Sequence, residues 1–251
     1  MRTRTVAAAF LTACLVLSGR AVDAAEIRVL ASNGIKAAME ALEPQFERAS
    51  GDTLTIEFST AATLKQRIEG GEAFDVAILT DEAVSDLITS GRLAGATRAE
   101  LAAVGIGVGF RTGAPKPDVR TSAAIKALLL TVRSIAYTRD GATRPAIDKM
   151  IASLGIAREL ESKSRLVAAG QAPPAVARGE SDLVITLISE ILPEKGVEFA
   201  GPLPSEFQVH FGFAAAARTK TGNATAARAL VTFLDGPHAD AVYTATGMDV
   251  R

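Results

Sequence analysis

Apolar and polar positions follow two alternating periods along the chain. EIRVLA, from Glu26, reads as a strand, and Ile35, Ala38, Met39, Leu42 and Phe46 then fall on one face of a helix. Gly51 is a stop signal. TLTIEFS alternates as a second strand, and TAATLKQRIEGG reads as a helix closed by glycines. FDVAIL is a third strand, and a helix through Val84, Leu87 and Ile88 runs to Gly91. Strands that alternate with amphipathic helices predict an α/β fold built on mostly parallel sheets with covering helices.

The alternation breaks at LAAVGIGVGF, residues 101–110, which is followed by the turn-rich RTGAPKPDV. A second set follows. It has a helix over Ser122–Leu130, strand SIAY and a helix through Ile147, Met150, Ile151 and Leu154. Strand RLVA, a short helix over Pro174–Arg178 and strand DLVIT complete it. Another unbroken run, EFQVHFGFAAAA, occupies 206–217 before two closing helices over Ala224–Leu234 and His238–Thr246. The two long runs bracket the middle set, so they predict two connections between two lobes. One lobe is 26–104 with 213–251, and the other is 105–212.

The N-terminus changes the picture of where the chain works. MRTRT is basic, VAAAFLTACLVLSG is an apolar run of 14 residues, and AVDAAE offers small residues for cleavage near Ala24 or Ala25. This three-part pattern predicts a secretory signal over 1–25 and an exported, periplasmic product. Leu11-Thr12-Ala13-Cys14 also resembles a lipobox, which would tether the protein through Cys14 instead. Without the signal, 24 basic residues face 27 acidic ones. No basic excess points to nucleic acid or to an anionic membrane surface. Cys14 is the only cysteine, so the mature chain has no disulfide and relies on core burial, which its length supports.

Four strand-to-helix junctions share a small, polar character: ASNG (31–34), STAAT (59–63), TRDGATR (138–144) and GQAPP (170–174). The first turn of a helix carries free N–H groups and the positive end of the helix dipole, which suits an anion. In open α/β sheets ligands gather at the carboxyl ends of strands. Two junctions from each lobe would form one cleft. The candidate ligand-binding residues are Ser32, Asn33, Gly34, Thr60, Ala61, Arg139, Thr143, Arg144, Gln171 and, at the end of DLVIT, Thr186. Each junction also reads as an ordinary N-cap, worth about 1 kcal/mol. Arg139 and Arg144 offer planar forks that match a carboxylate or phosphate. Equally, they read as surface arginines paired with Asp140 or Asp148.

Other chemistry is thin. His210 and His238 are the only histidines, so no His-rich metal site and no cofactor is expected. No nucleophile motif or phosphate loop occurs. Asp75, Asp81 and His210 are the groups an enzyme on this scaffold would use. Asp75 reads better as structural, Asp81 as a helix cap and His210 as a strand residue.

The segments EIRVLASNGIKAAMEALEPQFERASG, FSTAATLKQRIEGGEAFDVAILTDEAVSDLITSGRL, VARGESDLVI and ARALVTFLDGPHADAVYTATGM carry a resemblance. The chain resembles the periplasmic solute-binding proteins of ABC importers, in the molybdate-binding-like branch of the type II fold. That resemblance implies two lobes that hinge on two crossing segments and close over an oxyanion held by hydroxyls and helix amides. It implies delivery to a membrane permease by a monomeric protein. Three positions depart from the family pattern. Its first serine falls near Gly34, its second near Ala61, and a tyrosine near Leu187. The expected ligand is therefore a small anion, either an oxyanion of the molybdate kind or a small carboxylate. A ligand-presenting subunit for a membrane sensor is the alternative, followed by an exported enzyme.

Overall fold

The computed structural model describes residues 24–250. The secretory segment and Cys14 therefore lie outside the described residues, apart from Ala24 and Ala25. No helix among the described residues is long and apolar enough to cross a membrane.

The first set runs β1 (Glu26–Ser32), α1 (Lys36–Ser50), β2 (Thr53–Ser59), α2 (Ala61–Glu69), β3 (Val76–Thr80) and α3 (Asp81–Thr89). A single 3-10 turn, Asn33–Ile35, joins β1 to α1. The long β4 (Ala99–Arg111) leads to α4 (Ser122–Thr131), β5 (Ile135–Thr138) and α5 (Arg144–Ser153). Then come α6 (Ala157–Leu160), β6 (Ser164–Val167), α7 (Ala172–Ala177), β7 (Leu183–Leu187), α8 (Ile188–Ile191) and β8 (Val197–Pro202). The chain closes with β9 (His210–Ala217), α9 (Ala224–Leu234), α10 (Pro237–Ala245) and β10 (Asp249–Val250).

The strand order β2-β1-β3-β9-β4-β7-β5-β6 describes two sheets that share β4. β1 pairs in parallel with β2 and β3, and β5 pairs in parallel with β6 and β7. The seam is antiparallel. β9 lies between β3 and β4, while β7 and β8 lie against the later part of β4. The change of partner is abrupt. Gly105 pairs with His210 of β9, and Ile106 pairs with Leu187 of β7. At that step the Gln208 side chain stands in for a strand. Its carbonyl accepts from Ile106 N–H at 2.8 Å and its amide donates to the Ile106 carbonyl at 2.9 Å.

Each sheet is buried on both faces, which fits a parallel core covered by helices. On one face of the first sheet Val29, Ala31, Val76 and Ile78 meet Met39, Leu42 and Phe46 of α1 and Leu230 of α9. On the other, Leu30, Ala77 and Leu79 meet Leu64 of α2 and Leu87 of α3. α1 ends where Gly51 takes φ 80°, the left-handed conformation that glycine adopts without steric cost. The second sheet buries Ile106, Val108, Ile135, Ile147 and Met150 in a separate cluster. Leu187, the last residue of a strand of the second sheet, and Ile188 just after it pack into the first lobe's core. α8 thus forms a back wall between the lobes.

The differences from the sequence pattern are local. The alternating run 206–217 becomes strand only from His210. The preceding residues form a turn, because Gln208 is used to bond Ile106. α6, α8, β8 and β10 were not expected, and α7 starts at Ala172 rather than Pro174.

Candidate functional site

The strands β1, β2, β5 and β7 end toward one another, and their last residues enclose a small polar nook. Ser32 and Asn33 come from the first junction, Thr60 and Ala61 from the second, and Thr138, Gly141 and Thr143 from the third. Thr186, Leu187 and Glu190 close it from behind. The space is about 20 Å³, room for one water or one oxygen-sized group. Past Ala61, Gly141 and Ala142 it gives onto an outer cleft of about 880 Å³.

Local chemistry sets each wall. Ser32 is the cap of the turn that follows, and its Oγ accepts from Gly34 N–H at 3.4 Å. Thr60 caps α2, accepting from Thr63 N–H at 3.2 Å. Thr143 sits at the start of α5 with no side-chain cap bond, so its buried hydroxyl is not spent on the helix. Gly34 is placed by close approach. A Cβ there would lie 2.5 Å from both Leu187 Cδ1 and Phe213 Cζ. The Gly34 carbonyl accepts from Ser189 Oγ of α8 at 2.6 Å, which ties the first junction to the back wall.

Two carboxylates shape the electrostatics: one the sequence offered only as an arginine partner, the other not singled out there at all. Asp140, from the third junction, reaches across to the second. Its Oδ2 accepts from Thr63 Oγ1 at 3.0 Å and lies 3.2 Å from Thr60 Oγ1. It thereby places a negative group over the first turn of α2, where an incoming anion would sit. Glu190 faces the nook and accepts from the Thr186 hydroxyl in a short hydrogen bond. Burial pushes its carboxyl up from the ordinary range, and the Thr186 bond pulls it partway back.

The sequence-derived residues divide into three groups. Ser32, Asn33, Thr60, Ala61, Thr143 and Thr186 line the nook, and Gly34 is buried directly behind it. Arg139 and Arg144 line the outer cleft. Arg144 is engaged, since its Nε donates to Asp148 at 2.8 Å and its guanidinium stacks 5.0 Å above Tyr137. Arg139 is exposed and has no ion-pair partner among the described residues. Gln171 is exposed at the start of α7 and lines neither space. The fourth junction instead joins through Gly170, where a Cβ would lie 3.5 Å from Asn33 Nδ2.

Of the residues weighed for enzymatic chemistry, Asp75 is a structural tie. It accepts from Arg28 N–H at 2.9 Å and from Asn223 Nδ2 at 3.3 Å, and Thr221 Oγ1 bonds its other oxygen. Asp81 is the first residue of α3 rather than its cap, and it pairs with Arg98 at 3.5 Å. His210 begins β9 and faces the outer cleft. No group of three metal-ligating side chains occurs among the described residues.

Known proteins bear on this arrangement. The structure is similar to the periplasmic molybdate-binding protein of Azotobacter vinelandii, with a TM-score of 0.77 and 19% identity, covering 90% of this chain and 99% of that one. It is also similar to the sulfate-binding protein of Mycobacterium tuberculosis, with a TM-score of 0.71 and 15% identity, covering 89% and 86%. At these identities the likeness concerns the fold. In sequence, the chain is 29% identical over 214 residues to an aconitate isomerase of a Pseudomonas species, covering 83% of this chain and 81% of that protein. The family model for bacterial extracellular solute-binding proteins matches residues 27–249, and the chain belongs to that family.

Proposed function

We propose that the protein is a periplasmic receptor that captures a small carboxylate anion and delivers it to the permease of an ABC importer. One observation carries the ligand class. Hydroxyl and amide groups, with the Glu190 carboxyl behind them and no cation, enclose a nook for a single oxygen-sized group, and it opens onto a large cleft bearing the uncommitted Arg139. One carboxylate oxygen of a di- or tricarboxylic acid enters the nook, and a second carboxylate reaches Arg139. A compact tetrahedral oxyanion would leave the cleft and its arginine unused. The lobes that close are 26–104 with 213–251 and 105–212. The ligand favours the closed state by touching both.

Calorimetry and thermal-shift measurements with citrate, aconitate and succinate, set against molybdate and sulfate, test this reading. Binding of at least one carboxylate is expected to be tighter than binding of either oxyanion, and the reverse order sinks it.

Two substitutions refine the test. Asn33→Leu removes an amide of the nook at a half-buried position without a large change in volume. Affinity for the bound carboxylate is expected to fall about tenfold, one charge-assisted hydrogen bond, while folding stability changes by less than about 1 kcal/mol. Equal losses in both would return the junction to a capping role. Asp140→Asn keeps an oxygen for the Thr60 and Thr63 hydroxyls but removes the negative charge. Carboxylate affinity is expected to rise roughly three- to tenfold, an effect that shrinks at high salt.

A second reading has its own support. The sequence similarity to an aconitate isomerase and the Glu190 carboxyl at the nook together fit a proton shift within a bound carboxylate. Catalytic amounts of protein mixed with cis- or trans-aconitate, followed by ultraviolet absorbance, decide it. A steady interconversion establishes turnover, and an unchanged spectrum leaves capture alone.

A further inference from the structure

Glu190 poses a problem that the capture reading does not resolve. It is the only titratable side chain lining the nook among the described residues, and it makes no ion pair. Its hydrogen-bond partner is the neutral hydroxyl of Thr186. A carboxylate ligand and a Glu190 carboxylate would be two like charges in one small space with no cation beside them. Such a pair cannot both stay ionised, and one site must take a proton.

We infer that Glu190 enters the bound state as a neutral acid whose proton is donated to an oxygen of the captured anion, so that capture is coupled to the uptake of a proton. This inference rests on the carboxylate reading of the same nook. The geometry supplies both halves of it. One Glu190 oxygen is held by Thr186, which orients the carboxyl group, and the nook faces the carboxyl group. Asn33 and Glu190 also line a second groove of about 200 Å³ behind the nook, reached from the surface. That groove gives the carboxyl a route to exchange its proton when the cleft is closed.

The charged groups around Glu190 do not replace the proton. On the groove side they are Lys36 and Glu40 from α1 and Glu194 just beyond α8. Lys36 is exposed, 3.6 Å from Glu40, and lies 5.6 Å from the centre of the Phe58 ring, so its charge is already engaged. Glu40 and Glu194 are further negative groups. β7 contributes only the Thr186 hydroxyl and the Leu187 side chain, and the turn before α1 contributes Asn33. On the far side of the nook, Asp140 is held by Thr60 and Thr63. Burial acts in the same direction by disfavouring the ionised form of Glu190.

The sign of the coupling follows. An anion binds best when Glu190 is neutral. Below the pH at which Glu190 titrates in the free protein, affinity is flat. Above it, affinity falls by up to tenfold for each pH unit, because each binding event must first recover a proton. Glu190→Gln reproduces the neutral acid. Its carbonyl still accepts from Thr186 and its amide still donates toward the ligand.

The test is a calorimetric titration of citrate into the wild-type protein and Glu190→Gln at a series of pH values from about 5 to 8, upward from the ordinary carboxylate range. Each point is run in two buffers of different ionisation enthalpy. The ionisation of citrate itself is common to both proteins and cancels in the comparison. Above the pH at which Glu190 titrates in the free protein, the wild type is expected to take up close to one proton more than Glu190→Gln and to lose affinity with pH more steeply; below it the two proteins take up equal numbers. Equal proton counts and parallel pH profiles throughout the series overturn the inference.

A second measurement keeps it separate from the ligand reading. Carbon-13 titration of side-chain carboxyls in the free protein should show one glutamate resonance that titrates above the rest and is missing in Glu190→Gln. If citrate and the other carboxylates fail to bind, the carboxylate reading falls. A Glu190 resonance that titrates with the exposed glutamates overturns the inference by itself.

Discussion

Replacing Asp75 by alanine is expected to lower the stability of the protein by about 3 kcal/mol while leaving ligand affinity in the folded protein unchanged. Asp75 is nearly buried and serves three donors from three parts of the chain: the Arg28 backbone N–H of β1, Thr221 and Asn223. Its own backbone completes the tie, since Asp75 N–H donates to the Arg28 carbonyl and its carbonyl accepts from Arg218 N–H, both at 2.8 Å. Alanine removes every side-chain acceptor and leaves the partly buried Arg28 N–H and the Thr221 and Asn223 donors without their shared partner, at a cost of about 1 kcal/mol for each bond lost. The loss falls where β1, β3 and the entry to α9 meet, far from the nook. Urea denaturation followed by circular dichroism measures the stability. A fall in melting temperature of roughly 6–12 °C accompanies a loss of this size in a chain of this length. An unchanged midpoint, or a loss of affinity without a loss of stability, would restore Asp75 to the list of functional groups.

The largest effect on binding is expected from Gly34→Ala. The added methyl would lie 2.5 Å from Leu187 Cδ1 and from Phe213 Cζ, closer than carbon atoms approach one another. Both side chains are buried in the same packed cluster, and the open space beside them is the nook that Leu187 lines. Relief comes from the backbone, or from Leu187 moving into the nook itself. The turn at Asn33–Ile35 shifts away from α8, which weakens the 2.6 Å bond from Ser189 to the Gly34 carbonyl. Overpacking of this kind costs about 1–3 kcal/mol. Ser32, Asn33 and Leu187 all line the nook, so the displacement reaches three of its walls. Carboxylate affinity should drop by about a hundredfold, since misplacement by roughly 1 Å has costs of that order. Calorimetry on the folded variant is the measurement, and affinity within a factor of three of the wild type would refute the account.

Much of the fold was legible because period and punctuation agree. β1, β2 and β3 carry strand patterns, and the helices after them begin at capping residues such as Thr60 and end at glycines such as Gly51. The nook was legible for the same reason, since strand ends in a parallel sheet converge whatever their details. What failed to show has physical causes. α8 follows β7 with no break, so LVITLISEI reads as one apolar stretch, and a single glutamate within it resembles the polar face of a helix. Only packing of Leu187 and Ile188 into the first lobe turns Glu190 toward the nook. β8 is hidden by its short, glycine-interrupted sequence. The arginines at 139 and 144 were legible as charges but not as places. One stacks and pairs along its own helix, while the other faces the outer cleft.

The amide of Gln208 bears on how readily the molecule moves. Where β4 passes from one sheet to the other, a rigid backbone partner would have to be torn off whenever the halves part, and that loss would hold them in one pose. In the closing motion proposed above, a side chain on a flexible stem would swivel and keep both of its bonds to Ile106. Such a joint would let the halves part without stranding a peptide group. A joint of this kind would leave the shape to be decided by the guest, which suits the capture and release proposed above.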